Sequence, residues 1–250
     1  MKTTCTTASR GALLLGLTLA VGITASAVPI NGNIGFSGSK LFSFTLPPGL
    51  NQGSYIDFQN PVNGGNGAIV AGGTSGGFNF IPQFDPGFIR DLATSANTLG
   101  YEVAPPETAI SIDNFLSFAS APGLNIRLTK LPNATNCDAN VICVGPFQLV
   151  QNGPAVSVSI NVIGVVLSGG DSSAFTGQIT AQFLGLSGQG TTVAEVLAEA
   201  NSSQGALANS WSGAITASAI PEPGTVTMLG IGAIAMFLGR LRAKRRSINN

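Results

Sequence analysis

Between residues 40 and 220, short runs of alternating apolar and polar residues are separated by turn-forming residues at intervals of about 8 to 15 positions. In residues 156–162, valine and isoleucine alternate with serine and asparagine, so the apolar side chains fall on one face of an extended chain. Similar alternation occurs in residues 124–131 and 175–183. This two-residue period predicts half-buried antiparallel strands. We therefore predict an all-β fold, an antiparallel β-sandwich or jelly roll in which two sheets bury their apolar faces against each other.

One segment departs from the strand pattern and predicts a short helix. Thr192 can cap a helix, and Glu195 follows at the spacing of a capping box. The run VAEVLAEA then continues to Asn201, where we expect the helix to end. We also predict loops at residues 60–77 and 202–209, because both stretches are rich in residues that favour turns.

The N-terminal residues have the three regions of a signal peptide. Lys2 and Arg10 precede an uncharged apolar run at residues 11–23, and Ala25 and Ala27 supply the small side chains that a signal peptidase accepts. The apolar run is too short to span a membrane comfortably. We predict cleavage after Ala27, which leaves about 190 residues between the two terminal segments for one folded domain.

At the C-terminus, a proline-bounded motif is followed by an apolar segment and a basic tail. Because Pro221 and Pro223 disfavour helix and central strand, we expect the motif that they form with Glu222 to be extended and exposed. The uncharged run at residues 225–239 favours a transmembrane helix of about 22 Å, a marginal anchor because the hydrocarbon core is about 30 Å thick. The cations after this run should stay on the cytoplasmic side and place the domain across the inner membrane. They are Arg240, Arg242, Lys244, Arg245 and Arg246.

The order of these C-terminal features resembles the PEP-CTERM sorting signal of exported bacterial proteins. The resemblance covers residues 220–250 and rests on the sequence PEPGT, a glycine-interrupted apolar run and an arginine-rich end. It implies export by the general secretory route and recognition of Pro221, Glu222 and Pro223 by an exosortase. It further implies removal of the helix and placement at the cell surface or in the extracellular matrix. An ordinary transmembrane anchor after a proline-rich linker is the alternative.

We therefore divide the chain into a signal peptide (1–27), an ectodomain (28–219) and a sorting signal (220–250). The ectodomain is acidic although the formal net charge of the chain is +0. Residues 28–220 carry four cations and ten acids, a net charge of about −6. Because this part of the chain lacks clusters of lysine and arginine that neutralise phosphates, its composition excludes a nucleic-acid partner.

Two of the three cysteines lie in the ectodomain. Cys137 and Cys143 flank a short stretch in a chain that leaves the reducing cytoplasm, so we predict a disulfide that staples a loop. The chain contains no histidine, which excludes a Cys/His zinc site and a Ser-His triad. Residues 73–77 spell G-x-S-x-G, but a nucleophile elbow needs a following helix and a histidine base.

The acidic residues show no spacing that marks a catalytic pair. They sit near turns or on strand faces, so we expect solvated surface carboxylates rather than the paired acids of a glycosidase. Asp138 with Asn140, and Asp171 with the serines after it, are too sparse for a calcium loop. We predict no catalytic residue, metal or cofactor. The acids considered for catalysis are Asp57, Asp85, Asp91, Glu102, Glu107 and Asp113.

These observations predict a structural or adhesive component of the cell surface, matrix or biofilm, with the matrix role implied by the resemblance. The first alternative is a secreted module that binds a carbohydrate or another surface through a flat face of aromatic residues or threonine ladders. Trp211, Tyr55 and Tyr101 are the aromatic candidates for such a face. The second alternative is a hydrolase with two carboxylates. Expected partners are signal peptidase and the secretion machinery, an exosortase, the membrane through the tail, and an exopolysaccharide as a further candidate.

Overall fold

The computed structural model describes most of the ectodomain. The described residues are 29–38, 42–46, 54–58, 66–96, 100–184, 190–202, 206–208 and 210–219, with the isolated positions 232 and 236. The signal-peptide residues Ala25 and Ala27, the motif at 221–223 and the basic tail lie outside the described residues, as does the apolar run except for positions 232 and 236.

Strands dominate the described residues, and one helix, α1 (Val193–Ala200), accompanies them. The strands are β1 (Gly32–Gly38), β2 (Phe42–Thr45), β3 (Tyr55–Asp57), β4 (Asn66–Gly76), β5 (Pro86–Arg90), β6 (Leu92–Ala93), β7 (Glu102–Val103), β8 (Ile112–Phe118), β9 (Asn125–Lys130), β10 (Val141–Val144), β11 (Phe147–Asn152), β12 (Ala155–Ser168), β13 (Asp171–Leu184), β14 (Ala206–Ala208) and β15 (Ser210–Ala219). The all-β prediction with one short helix is confirmed.

Alternation along the longest strands sets which side chains form the core. In β12, every second residue from Val156 to Val166 is buried, and in β13 Phe175, Ile179 and Phe183 are buried. The two strands pair along their whole length, from Ala155 opposite Leu184 to Ser168 opposite Asp171. Their apolar faces therefore lie on the same side of the sheet, as the period of two predicts.

The strands form two sheets of unequal size. The larger has ten strands in the order β10-β11-β12-β13-β15-β1-β4-β5-β8-β9, and β9 also pairs with β12. This last pairing brings the sheet back on itself, so eight of its strands make a closed, barrel-like layer. The smaller sheet has the order β14-β2-β3-β6-β7. The two sheets expected for a sandwich are present, but the larger one is closed and barrel-like and the other is small.

Aromatic side chains join the small sheet to the large one. Phe44 of β2 packs against Phe147 and Phe183, at ring-centroid distances of 4.8 and 5.5 Å. Phe58, directly after β3, packs against Trp211 of β15 at 5.0 Å. All of these rings belong to one cluster of buried hydrophobic residues. The small sheet therefore shares its core with the large sheet.

Helix α1 begins and ends where the sequence predicts. The Thr192 hydroxyl accepts a hydrogen bond from the Glu195 amide, the Glu195 carboxylate accepts one from the Thr192 amide, and Asn201 is the C-cap. Both partners of this capping box satisfy amides that the first helical turn leaves free.

The loop predictions are wrong in part. Residues 66–76 form β4, and residues 206–208 form β14. Glycine disfavours strands on average, but in β4 it makes room for neighbours: a side chain at Gly67 would meet Phe58. Tertiary packing here outweighs local preference.

Candidate functional site

The first and last strands of the described domain, β1 and β15, begin and end at the same end of the large sheet. Gly32, at the start of β1, lies opposite both Ala217 of β15 and Gly76 of β4. Ala219, the last residue of β15, lies opposite Ser173 of β13. We call this end of the large sheet, where these strands begin or finish, the exit edge. The segment with the Pro-Glu-Pro motif leaves the domain there. The predicted signal-peptide junction and the sorting motif are thereby connected to one end of the domain.

The predicted disulfide between Cys137 and Cys143 is present, with a Cα–Cα distance of 5.8 Å. Hydrogen bonds also tie the residues just before this disulfide to residues just after it. The Ala134 amide donates to the Gly145 carbonyl at 2.8 Å, and the Gln148 side-chain amide donates to the Thr135 carbonyl at 3.1 Å. Residues 132–135 are therefore held at fixed points beside the large sheet.

These residues form one wall of an open groove of about 510 Å³ on the outer face of the large sheet. The floor comes from β12, β13 and β15. Most of the lining side chains carry a hydroxyl or amide group, and none is charged. The polar lining residues are Asn133, Thr135, Asn161, Thr176, Gln178 and Thr216. Such a lining can both donate and accept hydrogen bonds toward a neutral polar ligand.

Strand pairing lines up further hydroxyl and amide groups beside this groove. Thr176 lies opposite Thr216, Thr216 lies opposite Asn33, and Asn33 lies opposite Ser75. The four residues are exposed and come from four different strands. A polar ladder therefore crosses the outer face, although no regular ladder is visible along the sequence.

Two of the acids considered for catalysis lie buried beside a tyrosine. The Tyr101 hydroxyl donates to the Asp57 carboxylate at 3.1 Å, and the Phe58 amide donates to Asp91 Oδ1 at 2.8 Å. Burial raises the pKa of Asp91 to about 7, opposed by the Phe58 hydrogen bond and reinforced by the negative charge of Asp57. Burial and the neighbouring Asp57 also raise the pKa of Tyr101.

The expectation of solvated carboxylates is therefore wrong for three acids: Asp57, Asp85 and Asp91 are buried. The Asp85 carboxylate accepts hydrogen bonds from the amide and hydroxyl of Ser120, at 3.0 and 2.8 Å. Asp85, next to proline, resembles an ordinary turn residue in sequence, and only the packed structure shows that it is buried and accepts hydrogen bonds from Ser120.

The other three acids form partly exposed ion pairs. Glu102 pairs with Arg90, Asp113 with Arg127, and Glu107 with Lys130. The side chain of Lys130 and the amide of Asn133 lower the pKa of Glu107, and hydrogen bonds from Asn125 and Arg127 lower that of Asp113. Each of these acids therefore has a structural partner.

The other sequence candidates are also placed by the fold. Residues 73–76 end β4 and are followed by a turn, and Thr74 Oγ1 donates to the Ile81 carbonyl, so no helix follows as a nucleophile elbow requires. The Asp138 carboxylate accepts from the Asn140 amide. Among the described residues, no group of three or more His, Cys, Asp or Glu side chains could hold a metal ion.

Exposed aromatic residues were not predicted. Trp211 and Tyr101 are buried, whereas Phe80, Phe84 and Phe88 are the exposed aromatic side chains of the described chain. Their sequence neighbourhood contains both buried and exposed phenylalanines, so composition alone carries no signal that separates the two kinds.

The described residues form an all-β domain whose strands pair antiparallel except for β6 with β7, and both ends of this domain lie at the exit edge. The segment that continues from this edge identifies the type of protein: residues 219–246 match the PEP-CTERM protein-sorting motif. The chain carries this motif and is an exported protein sorted by an exosortase, as its resemblance implied. Comparison with curated proteins and with solved structures finds no match. Within the described residues, no helix is both long and apolar enough to cross a membrane.

Proposed function

We propose that the protein is an exported structural or adhesive component of the cell surface or extracellular matrix, without catalytic activity. The observation that carries this proposal is the sorting motif, whose match begins at Ala219, the last residue of β15. A folded domain is thus joined directly to a signal for delivery to the envelope. Signal peptidase and the secretion machinery act before the exosortase, and the membrane holds the tail until processing.

The acids support the absence of catalysis. A glycosidase needs two carboxylates about 5 to 9.5 Å apart in a concave site that a sugar can enter. Asp57 and Asp91 are buried, Asp85 supports Ser120, and the remaining three acids considered are in ion pairs. A carboxylate-based hydrolase is therefore the least supported of the three functions.

The sorting part of the proposal is tested by replacing Pro221, Glu222 and Pro223 together with alanine in the native host. We expect the wild-type protein to lose both ends and to leave the inner membrane, because the motif is the recognition element. The variant should keep its C-terminal tail and stay in the membrane fraction. Intact mass and fractionation measure both outcomes.

A matched control changes the tail without touching the motif: Ser247→Ala with Asn249→Ala should be processed like the wild type. If the wild type also keeps its tail, the C-terminal segment is an ordinary anchor and the proposed sorting is wrong. If the variant without the motif is processed like the wild type, Pro221, Glu222 and Pro223 are not the recognition element and that part of the proposal is wrong.

A second candidate function is favoured by the polar groove. Its neutral lining and the ladder beside it suit a carbohydrate, since sugar hydroxyls both donate and accept hydrogen bonds. In this function the domain is a secreted binding module for an exopolysaccharide. The groove wall at residues 132–135 is held by hydrogen bonds and lies next to the disulfide, and this would limit the loss of conformational freedom on binding.

The second function is tested by binding to exopolysaccharide purified from the host. Thr176→Ala with Gln178→Ala should weaken binding about tenfold, because it removes two groove side chains, each equivalent to a modest hydrogen bond. Thr180→Ala with Gln182→Ala is the control, on the same face of β13 but outside the groove. Equal affinities for the two variants would exclude the groove as the binding site.

A further inference from the structure

Two of the exposed phenylalanines lie in the turn between β4 and β5, residues 77–85, which we call the aromatic turn. Phe80 is 52% exposed and Phe84 is 71% exposed. Residues of this type are usually buried in a soluble domain, and a local group of them marks a surface that contacts something apolar. The only charged residue of the turn, Asp85, is buried, so the exposed part of the turn is uncharged.

The aromatic turn is firmly attached to the domain. Phe78 and Ile81 are fully buried, and the Ile81 amide donates to the Phe78 carbonyl at 2.9 Å. The Asp85 carboxylate holds the turn to Ser120. Phe80 and Phe84 are therefore exposed on a turn that buried side chains and hydrogen bonds hold in place.

The backbone at Phe84 is in the left-handed region, with a φ of 66°. Glycine and asparagine adopt this region most readily, and a bulky residue there is uncommon. The fold holds it in place, since the Phe84 amide donates to the Ala71 carbonyl at 2.8 Å. The exposed ring of Phe84 buries little apolar surface in return for this uncommon backbone conformation, which points to a contact outside the domain.

The position of the turn indicates what it contacts. The turn begins at the end of β4, where Gly76 lies opposite Gly32, so its first residues lie at the exit edge. From there the chain runs back along β4 until Phe84 lies beside Ala71. The chain leaves that edge after Ala219, and the apolar run begins at residue 225. The intervening residues 220–224 can span at most about 18 Å. An apolar run that lies in a bilayer would therefore keep the exit edge close to that bilayer.

We propose that the aromatic turn is a membrane-contacting element, in which Phe80 and Phe84 enter the interfacial region of the phospholipid bilayer that holds the C-terminal run. Aromatic side chains are favoured at this depth, where an apolar ring can leave water. The contact would hold the exit edge, and with it the sorting motif, at the membrane surface until the tail is removed. This inference rests on the membrane-anchored sorting described under the proposed function.

The test uses the full-length chain with Cys5→Ser, reconstituted into phosphatidylethanolamine/phosphatidylglycerol vesicles that contain nitroxide-labelled lipid. An environment-sensitive fluorophore is attached, without reduction of the Cys137–Cys143 disulfide, to one of three single substitutions. These are Asn79→Cys in the aromatic turn, Asn152→Cys at the end of β11, and Gly232→Cys in the apolar run. We expect at least twofold quenching of the labels at 79 and 232, and none at 152.

Two double variants then test the phenylalanines. Phe80→Ser with Phe84→Ser should abolish quenching at position 79 and leave quenching at 232 unchanged. Ile142→Ser with Leu184→Ser is the control: both side chains are 44% exposed, and Leu184 lies at the opposite end of β13 from the exit edge. It should leave quenching at both positions unchanged. Far-UV circular dichroism checks that each variant is folded.

The outcomes separate this inference from the anchoring on which it rests. Quenching at 232 without quenching at 79 overturns the membrane contact and leaves the anchor intact. No quenching at 232 overturns the anchor and the contact together. Unchanged quenching at 79 in the double phenylalanine variant would show that Phe80 and Phe84 do not make the membrane contact. A concentration-dependent blue shift at 79 without lipid would show that a second copy of the chain covers the turn instead.

Discussion

At the scale of single residues, the least expected feature is the buried pair Asp57 and Asp91. Sequence indicated surface carboxylates, because both acids lie in short strand-and-turn segments. The structure buries them where the small sheet meets the large one, and Tyr101 and the Phe58 amide supply hydrogen bonds. Asp91 Oδ2 has no hydrogen-bond partner among the described residues. An ionised carboxylate there lacks part of the solvation that it has in the unfolded chain.

This environment predicts stability that depends on pH. In the unfolded chain Asp91 has a pKa of about 3.9, whereas in the fold its pKa is raised to about 7. Between these values the native state binds a proton that the unfolded state does not, so stability falls as the pH rises. We expect the free energy of unfolding to be about 2 kcal/mol larger at pH 5 than at pH 7. Urea denaturation at the two values measures the difference.

Asp91→Asn should remove most of this difference, because the amide stays neutral and its oxygen can still accept from the Phe58 amide. Asp138→Asn, at an exposed acid, should keep it. The fold lowers the pKa values of Glu107, Asp113 and Glu195. Their contribution to the free energy of unfolding is therefore lost as the pH falls below the range of this experiment. A wild-type protein that is equally stable at pH 5 and pH 7 would contradict the prediction.

At the scale of elements, the hydrophobic period and the capping residues were sufficient to predict a strand or helix that has one buried face. Strand β12 and helix α1 follow from alternation and from the capping box, which are local properties of the chain. Strand β4 was missed because some of its glycines are explained only by tertiary contacts. A side chain at Gly67 or Gly76 would collide with Phe58 or with the start of the neighbouring strand, and these partners are distant in sequence. The disulfide was predicted, but its place beside the groove was not.

The stapled loop gives a prediction at this scale. Replacing Cys137 and Cys143 with serine should lower the free energy of unfolding by about 2 kcal/mol, the chain-entropy value for so small a loop. The Ala134 amide, which donates to the Gly145 carbonyl, should exchange its hydrogen faster. Hydrogen exchange and urea denaturation measure the two effects. The Leu149 amide, in β11 of the large sheet, is the internal control and should stay protected.

Unchanged exchange at Ala134 would mean that the hydrogen bonds alone hold the groove wall. In that case the disulfide would contribute to global stability without shaping the groove, and the carbohydrate-binding function would lose one of its supporting arguments.

At the scale of the whole molecule, the fold decides which distant segments share an edge. The pairing of β9 with β12 closes the large sheet, and the pairing of β1 with both β4 and β15 brings the two ends of the domain to the aromatic turn. The sorting motif and Phe80 are far apart in sequence, yet they belong to the same end of the molecule. The membrane contact inferred for Phe80 and Phe84 is therefore a property of the assembled fold.

The sequence by itself determined the strand-rich class, the capped helix, the cysteine pair and the sorting motif, because each depends on residues close together in the chain. It also determined that the domain is acidic and free of histidine. Only the tertiary structure decided the closed sheet, the buried acids, the polar ladder and the exposed aromatic turn. These depend on strand register and on packing between distant segments, and a local pattern fixes the face of a strand but not its neighbours.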